Sequence, residues 1–371
     1  MKKVNGHEII GLFEQFSPKD YAMEGDKVGL QIGRLNQKVE RVLIALDVLE
    51  EVIDEAIEKK VQLIIAHHPI IYRPLQKLVT DSLPGRLFEK LIKHDISVYV
   101  AHTNLDVAVG GVNDMLASAL GLENTEVLVP TVEILLKKLV VYVPSENAND
   151  VREALGKAGA GAIGNYSGCS FSSTGTGRFL PGENTTPHIG IQGKLEEVEE
   201  TRIETIIPEH LVKKCISAMI KAHPYEEVAF DIYPVENKGE LLGLGRVGTV
   251  KETTLEQFAL RAKEALEVDS VRIVGDLQAV IKKVAVLGGD GNKYWSQAKF
   301  KGADVYVTGD IYYHTAHDAM MQGLNMLDPG HNVEKIMKKG VASLLSAHCM
   351  EAGYEVEIFA SEKDTNPFKQ I

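Results

Sequence analysis

The amino-acid sequence predicts an α/β protein whose principal domain is split in the chain by a smaller, inserted α+β domain. In residues 1–127, strand-like apolar runs alternate with amphipathic helical patterns, and the same alternation returns in residues 246–371. Strands separated by helical patterns of about 10–15 residues are typical of βαβ units and of mostly parallel sheets. The segment between them, 128–245, has a different order of elements. We therefore expect residues 1–127 and 246–371 to form one domain around an insertion at 128–245.

The outer segments contain the predicted strands and helices of this split domain. In the first segment these are strands at 42–46, 63–66 and 97–101 and helices at 50–59 and 83–93. In the second segment they are strands at 284–287, 304–307 and 325–327, followed by a helix at 335–343. The three strands of the second segment are each followed by glycine and aspartate residues, which marks turns at the strand ends.

The middle segment has the pattern of a small α+β module. A strand is predicted at 138–143, and a Gly/Ser/Thr-rich stretch at 158–182 predicts turns and short strands. An alternating strand at 199–207, a helix at 209–221 and a final strand after 227 complete the module. The order strand, helix, strands, helix, strand is typical of a ferredoxin-like fold.

Composition excludes several classes of protein. The net charge of −12 opposes non-specific binding to nucleic acid, and no apolar run reaches the ~18 residues of a membrane span. No apolar signal segment follows the first lysines. The three cysteines, Cys169, Cys215 and Cys349, are scattered without a Cys-x-x-Cys pair, which argues against a disulfide framework or a thiolate zinc site. We therefore expect a cytoplasmic protein with neither a membrane nor a nucleic acid as its partner.

The motif His67-His68-Pro69 directly follows the apolar strand at 63–66. Ligands of open α/β sheets bind outside the carboxyl ends of the strands, which is where these imidazoles are expected. Adjacent side chains on a strand point to opposite faces, so the pair can serve two centres, or one centre if Pro69 has already broken the strand. The alternative is a strand end that is capped by two hydrogen-bonded histidines.

Further metal-ligating residue types follow other predicted strands. Asp106 comes shortly after the strand at 97–101, and His331 and Glu334 follow the strand at 325–327. His331 and Glu334 are three residues apart, so they share one face of a helix. The candidate ligands are His67, His68, Asp106, His331 and Glu334. Five ligands are too many for one catalytic zinc, but they suit two divalent ions about 3.5–4 Å apart, with Asp106 or Glu334 as the bridging carboxylate.

These motifs resemble the NIF-three-like family, whose members are often labelled GTP cyclohydrolase 1 type 2 homologues. The resemblance is carried by His67-His68-Pro69, by His102-Thr103-Asn104-Leu105-Asp106, and by Gly330-His331 with its following glutamate. The segment 26–33 and Gly309-Asp310 with His314 match as well. The resemblance implies a two-lobed α/β domain with mixed sheets, a dinuclear metal site in a cleft and a toroidal homohexamer. It implies the same five metal ligands, although many members place the glutamate four residues after the histidine instead of three.

The inserted segment resembles the CutA and PII-like ferredoxin-fold modules through its strand order and through His223-Pro224-Tyr225-Glu226. This resemblance implies a role in capping the ring or recruiting a partner. The alternative is that His223 and Tyr225 pack within a turn before the last strand.

Two further histidines are candidate catalytic residues. His102 can act as an acid or as a hydrogen-bond donor to a ligand, and the alternative is a capping role. His314 can contact substrate or carry a proton, because imidazole titrates near neutral pH, and the alternative is a surface position. The glycine-rich segment 288–291 lacks the phosphate-loop signature, so a tight turn is expected there.

Three functions are consistent with these residues. The first is a metal-dependent hydrolase that acts on a nucleotide-like substrate, through a GTP cyclohydrolase reaction or phosphoester hydrolysis. The second is a metal-binding protein without turnover, and the third is a regulatory scaffold that uses the inserted domain for partner or small-molecule sensing. Zinc is the first expectation for the ions, while iron, manganese and cobalt accept the same ligands.

Overall fold

The computed structural model describes residues 3–369, and the chain divides into two compact units. The outer unit comprises Met1–Val132 and Leu242–Ile371, and the inner unit comprises Glu133–Leu241. Among the described residues, no helix is long and apolar enough to cross a membrane.

The elements are numbered in chain order. The strands are β1 Val4–Asn5, β2 Gly29–Ile32, β3 Lys38–Val39, β4 Arg41–Ala45, β5 Leu63–Ala66, β6 Ser97–Val100, β7 Glu123–Glu133, β8 Leu136–Pro144, β9 Ser170–Phe179, β10 Glu196–Pro208, β11 Phe230–Pro234, β12 Leu241–Thr254, β13 Arg272–Val274, β14 Val280–Asp290, β15 Val305–Gly309, β16 Asn325–Asp328 and β17 Glu357–Ala360. The α-helices are α1 Gly6–Phe16, α2 Glu50–Glu58, α3 Leu83–Lys93, α4 Thr103–Val107, α5 Val112–Ala119, α6 Ala148–Lys157, α7 Val212–Ala222, α8 Leu255–Ala265, α9 Trp295–Phe300, α10 Tyr313–Met321 and α11 Ile336–Glu351. Short 3₁₀ helices lie at Lys19–Tyr21, Ser145–Asn147, Glu209–Leu211, Asn292–Tyr294 and His331–Lys335.

The first large sheet of the outer unit has five strands in the order β17-β4-β5-β6-β2. The first four are parallel, and β2 is antiparallel to β6. Leu63 and Ile65 of β5 enter a core with α1, α5 and α11, whereas Ile64 and Ala66 enter a second core with α2 and α3. The strand is apolar at every position because both of its faces are covered.

The second sheet of the outer unit has six strands in the order β13-β16-β15-β14-β12-β7. Strands β14, β15 and β16 are parallel, and β12 and β13 run antiparallel to their neighbours β14 and β16. Val286 and Val307 of this sheet pack in the same core as Leu63 and Ile65 of the first sheet. The predicted α/β fold with mixed sheets is confirmed.

The boundaries of the inner unit differ from the predicted insertion. Residues 128–132 and 242–245 lie in β7 and β12, which are strands of the six-stranded sheet. The inner unit therefore begins and ends inside the interval 128–245.

The inner unit has the element order β8-α6-β9-β10-α7-β11 and an antiparallel sheet in the order β11-β8-β10-β9. The prediction of turns and short strands across 158–182 was wrong for Ser170–Phe179, which is one ten-residue strand. This strand pairs with β10 along its whole length, and most of its side chains are exposed. The sequence pattern did not indicate β9, because its residues are mostly polar and form no apolar face. Backbone hydrogen bonds to β10 hold the strand instead.

Candidate metal centre

The five candidate ligands all follow strands of the outer unit. His67 and His68 follow β5, Asp106 lies in α4 after β6, and His331 and Glu334 lie in the 3₁₀ helix His331–Lys335 after β16. We expected His331 and Glu334 to share a face at the start of the helix predicted over 335–343, but α11 begins only at Ile336 and both residues lie in the preceding 3₁₀ helix. Side chains three residues apart eclipse one another in a 3₁₀ helix. His331 Nε2 accordingly lies 3.2 Å from Glu334 Oε2.

Glu334 occupies the middle of the cluster. Its Oε2 lies 3.0 Å from His68 Nε2, and its Oε1 lies 3.7 Å from His67 Nε2. His67 Nε2 is also 3.7 Å from Asp106 Oδ1. The described residues therefore contain two overlapping ligand groups, one with His68 and His331 and one with His67 and Asp106, and Glu334 belongs to both.

Two glycines make room for this carboxylate. A Cβ atom on Gly289 would lie 2.6 Å from Glu334 Oε1 and 3.3 Å from His331 Nε2, and one on Gly288 would lie 3.3 Å from Glu334 Cγ. Gly289 also has a φ of +66°, in the left-handed region that other residues rarely adopt. The glycine pair at the end of β14 is thus part of the wall of the cluster. Sequence reasoning treated it as a turn.

Two polar atoms in the cluster are buried without a hydrogen-bond partner among the described residues, His67 Nε2 and Asp106 Oδ1. The other ring nitrogen of His67, Nδ1, donates to the backbone carbonyl of Ala101 at 2.9 Å. Buried polar atoms without partners are unfavourable, and a cation between an imidazole and a carboxylate satisfies both. The donor set therefore fits divalent metal ions.

Three aspartates orient the remaining imidazoles. In each pair a histidine Nδ1 lies at hydrogen-bond distance from a carboxylate, and the pairs are His68 with Asp47 at 2.7 Å, His331 with Asp310 at 2.7 Å, and His102 with Asp26 at 2.8 Å. A carboxylate on Nδ1 directs Nε2 toward the centre and increases its basicity as a ligand. Sequence reasoning assigned no role to these aspartates. Asp47 and Asp310 follow β4 and β15 closely, so the strand-end criterion that found His67 also applies to them.

The cluster has the electrostatics of a cation site. Burial alone would lower the pKa of His68, but hydrogen bonds to Asp47 and Glu334 raise it to about 10. A hydrogen bond to Glu334 is the main cause that raises the pKa of His331 to about 9. Burial opposes ionisation of Glu334, yet the surrounding imidazoles hold its pKa well below the ordinary value. Burial raises the pKa of Asp106 to about 6. The neighbouring carboxylates therefore stabilise positive charge at His68 and His331.

The two candidate catalytic histidines lie in different surroundings. The ring of His102 is 5.2 Å from that of His67 and 5.8 Å from that of His68, and the three form a further ligand group. His314 lies exposed on α10, with its ring 5.4 Å from that of Tyr313. It belongs to none of the ligand groups found within residues 3–369. Its catalytic role stays a prediction.

In the inner unit, both ring nitrogens of His223 are engaged. Nε2 donates to the carbonyl of Tyr142 at 2.9 Å, and Nδ1 accepts from the backbone N–H of Tyr225 at 3.1 Å. The Tyr225 hydroxyl donates to Glu200 at 3.0 Å. Burial lowers the pKa of His223, which favours its neutral form. These contacts favour the packed-turn interpretation of His223 and Tyr225.

Comparison with known proteins gives consistent matches. The profile of the family Duf34/NIF3 (NGG1p interacting factor 3) matches residues 4–367. A Bacillus subtilis (strain 168) protein, GTP cyclohydrolase 1 type 2 homolog, is 63% identical over 368 residues, which cover 99% of both chains. A Halalkalibacterium halodurans protein of the same name is 58% identical over 372 residues, with full coverage of both chains.

Among solved structures, the crystal structure of a Bacillus cereus protein related to NIF3 is similar to this chain, with a TM-score of 0.94 and 60% identity. A Staphylococcus aureus protein is similar with a TM-score of 0.75 and 35% identity. Both similarities cover 100% of each chain.

Proposed function

The chain belongs to the Duf34/NIF3 family, and on that premise we propose that it binds two divalent metal ions and acts as a metal-dependent hydrolase on a nucleotide-like substrate. The match of the family profile to residues 4–367 confirms the family resemblance that the sequence motifs indicated. The name of the Bacillus subtilis relative, GTP cyclohydrolase 1 type 2 homolog, supports a GTP-like substrate. The observation that carries the proposal is the pair of buried, unpartnered atoms His67 Nε2 and Asp106 Oδ1 beside Glu334.

The ligands divide into two sets. His67 and Asp106 would hold one ion, His68 and His331 would hold the other, and Glu334 is the proposed bridge because its two oxygens face the two sets. Imidazole and carboxylate ligands suit zinc, iron, manganese and cobalt, and zinc is the ion we propose first. The tandem histidines then have a specific role, since each faces a different oxygen of Glu334.

The bound ions would supply Lewis-acid activation of water and of the electrophilic centre of the substrate. His102 is the proposed acid–base group. Its Nδ1 is held by Asp26, which also accepts hydrogen bonds from Thr103, so Nε2 is the atom that takes up or releases a proton. His102 is partly exposed, with 27% of its side chain accessible, so a substrate can reach it. His314 on α10 is proposed as a substrate contact.

The test combines metal content with turnover. The full chain is purified, its metals are quantified, and nucleotides, phosphodiesters and cyclic amides are screened as substrates. Asp106→Ala and His331→Ala should lose both metal and activity. His94→Ala, which changes an exposed histidine at the end of α3, is the matched control and should retain both. Metal-loaded wild-type protein that turns over none of these substrates would refute the hydrolase.

The second candidate is a non-catalytic metal-binding protein or regulatory scaffold, in which the inner unit senses a partner or a small molecule. The sheet has the strand order β11-β8-β10-β9, and along the chain α6 follows β8 and α7 follows β10. This arrangement supports a ferredoxin-like, CutA/PII-like insertion. Full metal occupancy without turnover in the screen described above favours this candidate.

The family resemblance also supports a toroidal homohexamer that acts in the cytoplasm. Native mass spectrometry of the full chain should then give six times the chain mass, and a monomer would contradict the ring.

A further inference from the structure

We propose that residues 361–365, the C-terminal strap, complete the metal centre by fixing His68 through Asp47. The inference rests on the proposed metal binding. It assigns Thr365 as a positioning residue for one of the two ions.

The first two residues of the strap, Ser361 and Glu362, are held by hydrogen bonds to β4 and α2. Strand β17 pairs with β4, and the Ser361 N–H extends this pairing by donating to the Ile44 carbonyl at 2.8 Å. The Glu55 carboxylate of α2, whose side chain is only 3% exposed, accepts from the Ser361 hydroxyl at 2.6 Å and from the Glu362 N–H at 3.0 Å. A buried carboxylate that accepts two hydrogen bonds from consecutive residues holds the chain at this point.

A second anchor comes from the helix that follows Glu334. Lys338 of α11 donates from Nζ to the carbonyl of Lys363 at 2.9 Å. The strap is therefore attached both to α2 and to α11 before it reaches the metal centre.

The last residue of the strap, Thr365, contacts the carboxylate that supports the proposed ligand His68. The Thr365 hydroxyl donates to Asp47 Oδ2 at 2.5 Å, and the other oxygen of Asp47 lies 2.7 Å from His68 Nδ1. With both of its oxygens engaged, the Asp47 carboxylate has a fixed rotation. The hydrogen bond at Nδ1 in turn fixes the direction of His68 Nε2 toward Glu334.

The support of His68 differs from that of His102 and of His67. Asp26, which holds His102, is fixed by Thr103, the residue next to that histidine. His67 donates directly to a backbone carbonyl. The support of Asp47 comes instead from a residue 318 positions away in the chain. Loss of the Thr365 hydroxyl should therefore weaken the ion at His68 and His331 and spare the ion at His67 and Asp106.

The experiment compares Thr365→Val, which keeps the branched shape but removes the donor, with Thr365→Ser, which keeps the donor. Affinities of the full chain for Zn²⁺ and Co²⁺ are measured by competition with a chromogenic chelator. The Co²⁺ absorption spectrum reports the ligand geometry. Removing the direct partner of a metal ligand costs about 10–100-fold in affinity, and Thr365 supports that partner, so we expect Thr365→Val to weaken one of the two ions by up to this amount and to alter the Co²⁺ spectrum. Its melting temperature should remain close to wild type, and Thr365→Ser should restore both the affinity and the spectrum.

Three results would overturn the inference. The first is wild-type affinity for both ions in Thr365→Val, and the second is equal weakening of both ions with a lowered melting temperature. The third is a failure of Thr365→Ser to restore binding. A wild-type chain that takes up no ion refutes the metal proposal itself. The positioning role is then decided by crystal structures of metal-free wild type and Thr365→Val, where unchanged Asp47 and His68 side chains refute it and displaced ones support it.

Discussion

The Gly289→Ala variant tests whether the glycine pair of β14 creates the space that Glu334 occupies. The new Cβ would lie 2.6 Å from Glu334 Oε1, so the carboxylate must shift from its position among the imidazoles. We expect two losses of unfolding free energy. A side chain in the left-handed region costs about 1–2 kcal/mol. Each hydrogen bond to a charged group that Glu334 loses costs a further ~1.5–3 kcal/mol.

Gly121→Ala is the matched control for the backbone cost. Gly121 has a φ of +70°, close to the +66° of Gly289, but a Cβ there would meet no atom within 4 Å. We expect both variants to lose about 1–2 kcal/mol of unfolding free energy from backbone strain, and only Gly289→Ala to lose more. Gly121→Ala should bind the same number of ions as wild type, whereas Gly289→Ala should bind fewer.

The assay is urea-induced unfolding of the metal-free proteins together with metal quantification after loading and desalting. If Gly289→Ala binds both ions with wild-type affinity and loses no more stability than Gly121→Ala, the steric argument for the position of Glu334 is refuted.

Two further predictions concern stability. Zn²⁺ at a free concentration one hundred times its Kd should raise the unfolding free energy of wild type by about 2.7 kcal/mol for each ion, and a chelator should reverse this. Asp106→Asn should retain only the contribution of the ion at His68 and His331, and an unreduced effect of Zn²⁺ in this variant would contradict the assignment of Asp106. Glu55→Gln should destabilise the chain at neutral pH, because hydrogen bonds from the strap and Lys59 outweigh burial and hold the pKa of Glu55 below its ordinary value. This contribution to stability is present above the unfolded-state pKa of about 4.3 and is lost as the pH falls through the lower folded-state pKa. The unfolding curves of variant and wild type should therefore converge in acid. A difference in stability that does not depend on pH would contradict this role of Glu55.

Local pattern predicted the parallel strands β4, β5, β6, β14, β15 and β16 of the outer unit, because each of them is encoded within a few consecutive residues. It did not predict β2, β12 and β13, which run antiparallel to these strands. The run at 63–66 is apolar at every position because both faces of β5 are covered, and the structure has the strand at the same residues. The same reasoning failed for β9, where exposed serine and threonine residues left no apolar signal for a strand held by backbone pairing.

The sequence by itself determined which residue types stand at the ends of the strands, and the motifs around His67, Asp106 and His331 were enough to identify the family. Only the tertiary structure decided which of these side chains meet. His68 and Glu334 are 266 positions apart, and Asp47 and Thr365 are 318 positions apart. Hydrophobic periodicity reports the burial of a face but carries no information about its partner. The sharing of Glu334 between two ligand sets, the space left by Gly289 and the support of Asp47 by Thr365 therefore depend on the packing of two sheets, a helix and the C-terminal strap against one another.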